Sequence, residues 1–191
     1  LLLDEAGTRD ATLIPPQAVT VGTLPELLYS SAEPLVDVVT SRRAWSRALR
    51  SVKRETLEVV FPDLPRSDSP TAWDELAALL AGLHQNLARE GHGFADVAKI
   101  CRSGFIFDDG ARWEVLAQVQ RRYRQLLERS GVADRFVNRC SALESDVDRF
   151  VGDLWFVSVV ELPAVTRRLV EASGAIVRAL VHAPQDLTVA F

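Results

Sequence analysis

Apolar residues in this chain follow two patterns: helical spacing through the middle, and short continuous runs toward the ends. Between residues 34 and 145 apolar side chains recur every three or four positions, which is typical of amphipathic helices, and no segment there carries a strand signal. The pattern predicts a nearly all-helical block, with helices at 34–54, 53–61, 70 to Gly91, 94–101, 108 to Gly131 and 132–145.

Several of the predicted helix ends carry local signals. Ser69 followed by Pro70 is an N-cap and first-turn pair, and Gly91 ends the helix that begins there. Thr23-Leu-Pro-Glu26 has the capping-box pattern and predicts a helix early in the chain. The long helix before Gly131 opens at Asp108-Asp109-Gly110.

Short apolar runs outside the helical block predict strands. Residues 18–21 follow a Pro-Pro turn and read as a short strand. Residues 154–160, LWFVSVV, form a continuous apolar run of strand length, as expected of a buried parallel strand. A helix, AVTRRLVEAS, and Gly174 separate this run from a second one, AIVRALVHAP. This β-α-β order predicts a right-handed parallel pair.

The predicted fold is therefore α/β, with a parallel sheet interrupted by a helical insertion. Residues 1–33 and 150–191 would form the sheet-containing core, and residues 34–149 the insertion. The chain begins with Leu1 and contains no methionine, so we expect a fragment of a longer protein or a sequence from which methionines are missing.

Arginine dominates the cationic residues, although the net charge is −4. This charge argues against a generally basic nucleic-acid binder. The helix predicted at 34–54 nevertheless places Arg43, Arg47, Arg50 and Arg54 opposite an apolar stripe. These arginines either contact phosphate groups or form a solvated helix face, and the sequence leaves both interpretations open.

Membrane and disulfide classes are disfavoured. No apolar run reaches the roughly 18–20 residues that span a bilayer, and the N-terminus lacks the order of a signal peptide, so we expect no membrane association and a cytoplasmic location. Cys101 and Cys140 lie far apart without a CxxC pair, and we interpret both as small buried side chains.

The segments LIPPQAVTVGTLPELLY and DLWFVSVVELPAVTRRLVEASGAIVRALVHAP resemble the N-terminal helicase-like region of AddB-type subunits of bacterial helicase–nucleases, which belong with the PD-(D/E)XK nuclease family proteins. That region is a degenerate superfamily 1 helicase fold. The resemblance implies a P-loop-NTPase-like parallel sheet with a large helical insertion, as in helicase domains 1A and 1B. It also implies a role in DNA repair and recombination, with an AddA-type helicase subunit as partner.

Mapped onto this family, Thr20, Gly22 and Thr23 occupy the place of motif Ia, which contacts the tracked DNA strand in active helicases. The strand at 154–160 occupies the Walker B place, where an active site needs a carboxylate at position 160 to hold Mg²⁺. Val160 cannot supply it, and only the second acid, Glu161, is present. His182-Ala-Pro184-Gln185 stands where active relatives carry a Gly-Asp-x-x-Gln sensor, and no GxxxxGK[ST] motif appears.

The resemblance therefore implies a decayed ATP site, without ATP or Mg²⁺ in this fragment, in a parent protein that is an ATP-dependent helicase–nuclease subunit. Glu161 is either a surviving general base or, as we favour, a charge near a helix N-terminus. The histidines, His84, His92 and His182, show no metal-ligand spacing. Asp108 and Asp109 fit an N-cap better than a metal pair. The tryptophans Trp45, Trp73 and Trp113 fit core packing better than base stacking.

The sequence and the resemblance leave three hypotheses for the function of this chain. The leading hypothesis is a catalytically silent DNA-engaging domain that binds single strands or duplex ends through Thr20–Thr23 and the arginines of 43–54. A structural module that docks on a partner subunit through its helical block is the alternative. An active ATP-dependent helicase is a third, and requires a Walker A motif upstream of Leu1.

Overall fold

A computed structural model describes residues 16–104, 109–144 and 147–180 of the protein. Within them the chain is mixed α/β, mostly helical, with a small two-stranded parallel sheet. A 3-10 helix spans Leu24–Leu27. The helices and strands that follow are α1 (Val38–Arg50), α2 (Arg54–Leu57), α3 (Pro70–Arg89), α4 (Phe94–Arg102), α5 (Gly110–Arg129), α6 (Arg135–Ala142), β1 (Asp153–Val157), α7 (Ala164–Ser173) and β2 (Ile176–Leu180).

Aspartates fix the starts of α1 and α6. Oδ1 of Asp37 accepts hydrogen bonds from the backbone nitrogens of Val39 at 2.8 Å and Thr40 at 3.0 Å. Oδ1 of Asp134 accepts two such bonds at 2.9 Å from the first turn of α6. These bonds satisfy backbone donors that have no partner within the helix. α1 therefore begins at Val38, four residues later than predicted, and Arg54 belongs to the separate helix α2.

Prolines and glycines set other helix ends as predicted. α3 begins at Pro70, although the Ser69 side chain makes no capping hydrogen bond. Gly91 follows α3 with φ of +86°, a conformation that glycine adopts without strain. α7 covers the residues AVTRRLVEAS and ends at Gly174, which adopts the left-handed conformation. Local signals thus determine these boundaries.

The main hydrophobic core lies between α1, α3, α4 and α5. Trp45 of α1 is fully buried at its centre and stacks on Tyr123 of α5 with a centroid separation of 4.2 Å. Phe94, at the start of α4, packs on the same indole. Burying side chains of this size contributes about 2–3 kcal/mol each. Trp45 therefore holds the helical block together.

A second, smaller core joins the 3-10 helix to α7. Leu24, Leu28 and Tyr29 pack there against Leu169 and other buried residues of α7. Leu154 and Phe156 of β1 pack on the same cluster. The segment after residue 23 therefore contacts the β-α-β unit across most of the chain length.

The predicted β-α-β unit is confirmed. β1 and β2 are parallel, in a register that pairs Asp153 with Ile176 and Val157 with Leu180. β1 ends at Val157, three residues before the predicted end, and Ser158 has a positive φ of 56°. The predicted continuation of β2 beyond residue 180 lies outside the described residues. One face of this sheet is exposed, and it carries apolar side chains, including Trp155, Val157, Ile176 and Leu180.

The strand predicted at residues 18–21 is wrong. Residues 16–20 form no strand, and residues 21–23 form a turn into the 3-10 helix. The capping box is absent as well, because Thr23 makes no capping bond and the Glu26 carboxylate is bound by Arg139. Among the described helices, none is long and apolar enough to cross a membrane. The division into a core and an insertion stays a prediction.

Candidate functional site

Arg43, Arg47 and Arg50 lie on the exposed face of α1. The helix sequence, VVTSRRAWSRALR, contains four arginines and no acidic residue. The opposite face is buried and includes Trp45 and Leu49. This burial pattern fixes the rotation of α1 about its axis and directs the three arginines toward solvent.

A groove between α1 and α5 is lined by further arginines. It encloses a cavity of about 200 Å³ lined by arginines of both helices together with two polar residues and one apolar residue, namely Arg47, Ser51, Arg122, Gln125, Leu126 and Arg129. Arg122 Nη1 donates to Gln125 Oε1 at 3.4 Å. Within the described residues, no carboxylate lies within 4.0 Å of the guanidinium groups of Arg47, Arg122 or Arg129. The groove is therefore a concentration of uncompensated positive charge.

Arg54, the fourth arginine predicted for this face, is engaged elsewhere. Its guanidinium donates to the backbone oxygens of Leu64 at 3.2 Å and Pro65 at 3.1 Å, and to Glu58 at 3.2 Å. These bonds fasten α2 to the proline-bounded loop. Arg54 therefore has fewer free donors than Arg43, Arg47 and Arg50.

The predicted Thr20–Thr23 site forms a turn that is held by hydrogen bonds within it and by one from Arg139. The hydroxyls of Thr20 and Thr23 lie 3.1 Å apart, and Thr23 also donates to the Thr20 carbonyl oxygen. The Gly22 carbonyl oxygen accepts a 2.6 Å bond from Arg139 Nη2. In the part of the chain that the structure describes, no hydrogen bond or ion pair links this turn to the α1 arginines.

Glu161 lies near the same turn. It lines a cavity of about 410 Å³ together with Val21, residues at the end of α3, and Pro163. The first backbone nitrogen of α7, that of Ala164, is 3.4 Å from Glu90 Oε2, so Glu90 rather than Glu161 caps this helix. The structure thus places Glu161 and Val21, a residue of the predicted Thr20–Thr23 site, on one cavity that shares no lining residue with the arginine groove.

Sequence reasoning missed a buried polar network in the helical core. His84 Nε2 lies 3.2 Å from Asp134 Oδ1, and Gln120 Nε2 lies 2.9 Å from His84 Nδ1. Tyr123 donates to Asp134 Oδ2 at 2.6 Å, and Ser41 lies 3.0 Å from the Tyr123 hydroxyl. The network connects α1, α3 and α5 to the start of α6. Its members lie up to 93 residues apart in sequence (134 − 41), so no short motif reveals it.

Hydrogen bonding fixes the tautomer of His84. Gln120 Oε1 accepts from the backbone nitrogen of Phe94, so the Gln120 amide nitrogen faces His84 and donates to Nδ1. Nε2 then carries the proton and donates to Asp134. Burial favours the neutral form of Asp134, but its bonds from His84, Tyr123 and the α6 backbone outweigh burial and lower its pKa to about 2. Burial and the nearby carboxylate raise the pKa of Tyr123.

Neither hydroxyl of this network, Ser41 or Tyr123, is hydrogen-bonded to His84. Both ring nitrogens of His84 are occupied by Gln120 and Asp134, so the imidazole has no free position to activate another group. The Cys140 thiol points to the Ala88 carbonyl oxygen at 3.6 Å, and burial raises the pKa of this thiol. The network therefore ties α1, α3 and α5 to the start of α6.

The other candidates have ordinary surroundings. Asp109 pairs with Arg112 at 3.3 Å and makes no capping bond, while Asp108 lies outside the described residues. Trp45 and Trp73 are buried, and Trp113 is half-buried against Phe94. Among the described residues no cluster of three metal-ligating side chains occurs. His182, Pro184 and Gln185 also lie outside the described residues.

Comparison with protein-family models, curated proteins and solved structures finds no match to this chain.

Proposed function

We propose that this chain is a non-catalytic, helicase-like domain that engages the phosphate backbone of DNA, within a helicase–nuclease of double-strand-break repair and recombination. The observation that carries the DNA-engaging role is the exposed row of Arg43, Arg47 and Arg50, which has no acidic residue on its helix. Arginine binds phosphate bidentately and stays charged at all physiological pH values. Such contacts hold DNA without reading its bases.

The helicase-like assignment has its own support. A helical block precedes a parallel β-α-β unit, in the order that the superfamily 1 plan requires. The 3-10 helix near the N-terminal end packs on α7, so segments from both sides of the helical block share one core. A P-loop-type sheet would need further strands beside β1 and β2, and we assign them to the rest of the parent protein.

The assignment as non-catalytic rests on position 160. Val160 follows β1 and is 95% exposed, and valine offers no ligand to Mg²⁺. Of the two acids, Glu161 alone remains, four residues after the end of β1. Under this proposal the domain holds DNA while an AddA-type partner hydrolyses ATP.

Binding of a fluorescent single strand and of a forked duplex, measured by anisotropy over a range of salt concentrations, tests the proposal. We expect affinity to fall with salt, and the Arg43→Ala/Arg47→Ala/Arg50→Ala variant to lose about 2 units of the log–log salt slope, at about 0.7 per lost single-strand contact. The matched control removes three arginines that are paired with carboxylates, Arg102, Arg112 and Arg178.

Equal losses of DNA affinity and salt slope in both variants would mean that net charge alone, and not the position of the α1 arginines, determines binding. Absence of binding by the wild-type protein at low salt would overturn the proposal and favour the partner-docking alternative.

A further inference from the structure

The second wall of the arginine groove comes from α5, a helix that the DNA-engaging proposal does not otherwise use. Arg122, Gln125 and Arg129 are spaced three and four residues apart, so they lie on one face of α5. On α1, Arg43, Arg47 and Arg50 are spaced four and three apart. The two rows flank the cavity that Arg47, Arg122 and Arg129 line together.

Within the described residues, Arg47, Arg122 and Arg129 line one groove without a carboxylate within 4.0 Å of their guanidinium groups. Elsewhere Arg102 pairs with Glu114 and Arg112 with Asp109. The acidic residue nearest in sequence to Arg129, Glu128, lines a different cavity beside Asp134 and Asn138. Three guanidinium groups in one groove repel one another unless an anion lies between them. The groove therefore favours a negatively charged ligand.

The remaining groups of the groove suit a phosphate with its sugar. Since Gln125 Oε1 accepts from Arg122, its amide nitrogen is left to donate to a ligand oxygen. Ser51 donates to the Ala48 carbonyl oxygen and offers only its lone pairs. Leu126 provides an apolar contact, and no aromatic side chain lines the groove. The groove therefore offers no aromatic ring on which a nucleic-acid base could stack.

We infer that the groove between α1 and α5 is a phosphate site in which Arg47, Arg122 and Arg129 bind the sugar–phosphate backbone of a nucleic-acid strand. This inference rests on the proposed function and assigns α5 residues to it. Gln125 adds a neutral donor, and the site binds without base preference because every contact is to the backbone.

The Arg122→Gln/Arg129→Gln variant tests the site. Both side chains are exposed, so replacing them with the shorter, neutral glutamine should have little effect on stability. The control variant, Arg102→Gln/Arg112→Gln, removes the same charge from arginines that pair with carboxylates. The two probes are a dT oligonucleotide and inorganic tripolyphosphate, each measured against the wild-type protein and both variants.

For the oligonucleotide we expect the groove variant to bind on the order of tenfold more weakly, with a salt slope lower by about 1.4, while the control stays near wild type. Tripolyphosphate should lose affinity in the groove variant as well. Oligonucleotide binding that is equal in the groove variant and the wild type would overturn the inference and leave the proposed function in place.

The remaining outcomes separate the two proposals. Binding of tripolyphosphate through the groove, without any oligonucleotide binding, would overturn the proposed function and the nucleic-acid ligand inferred for the groove, and would leave only an anion site. Failure of the wild-type protein to bind either probe would overturn both.

Discussion

His84 and Asp134 are 50 positions apart in the chain and meet inside the helical block, with His84 Nε2 3.2 Å from Asp134 Oδ1. The same Oδ1 atom caps α6 through two backbone nitrogens. One buried carboxylate therefore anchors α3 to the start of α6. A buried polar group with its full set of hydrogen-bond partners stabilises one arrangement of helices. Removing a partner leaves a buried polar atom without a hydrogen bond, which lowers the free energy of unfolding.

Acid should weaken the protein through Asp134. Its folded-state pKa, about 2, lies below the usual 3.8, so this carboxylate stabilises the fold at pH values above about 4. That stabilisation, roughly 2 kcal/mol, is lost as pH falls from about 4 toward 2. The Asp134→Asn variant lacks the charge and should be less stable than wild type by about 2–3 kcal/mol at pH 7.

Urea unfolding of both proteins between pH 7 and pH 3 measures this effect. We expect the difference in the free energy of unfolding to narrow below about pH 4, because Asp134 binds a proton there in the unfolded wild-type chain before it does so in the folded protein. A difference that stays constant across this range would show that the charge of Asp134 does not contribute.

Tyr123 should matter more than Ser41, although the two hydroxyls contact each other. Tyr123→Phe removes the donor to Asp134 Oδ2 and should cost about 1.5–3 kcal/mol, as for hydrogen bonds to charged groups. Ser41→Ala leaves that bond intact and should cost about 0.5–1 kcal/mol. Chemical unfolding at pH 7 compares them, and equal losses would contradict this ranking.

The elements that the sequence predicts well are those with local causes. Pro70 begins α3, Gly91 follows its end, and Gly174 ends α7, because proline and glycine restrict or permit backbone angles at their own positions. The β-α-β unit was predictable for a similar reason, since continuous apolar runs flank an amphipathic helix.

Distant partners explain what the sequence did not reveal. Thr23 and Glu26 have the spacing of a capping box, but the Glu26 carboxylate binds Arg139, which lies 113 residues further along the chain. The groove likewise needs α5 beside α1, and no pattern within α1 indicates that Arg122 lies near Arg47. The buried His84 network has the same origin.

Arg139 and Glu26 should be strongly coupled. Arg139 donates from Nε and Nη2 to the two carboxylate oxygens at 2.7 Å, and its side chain is 6% exposed. Since this bidentate pair attaches the segment that includes the 3-10 helix to α6, a double-mutant cycle with Glu26→Ala and Arg139→Ala should give a coupling free energy of about 2 kcal/mol.

Arg139→Lys provides a finer test of the same pair. Lysine keeps the charge but cannot donate to both carboxylate oxygens of Glu26. Arg139→Lys should therefore lose most of the stability that Arg139→Ala loses. A lysine variant as stable as wild type would mean that charge alone, without the bidentate geometry, holds this segment.

Two glycines should respond to alanine in opposite directions. Gly174 ends α7 with φ of +69°, where a Cβ meets no atom within 4 Å but the backbone conformation itself disfavours alanine. We expect Gly174→Ala to destabilise the protein by about 1 kcal/mol. Gly82 lies inside α3, with open space around an added Cβ, so Gly82→Ala should stabilise it by about 0.5–1 kcal/mol through helix propensity. The melting temperature should therefore fall for Gly174→Ala and rise for Gly82→Ala in thermal unfolding. A gain in melting temperature for Gly174→Ala would mean that α7 does not need a residue in the left-handed conformation at its end.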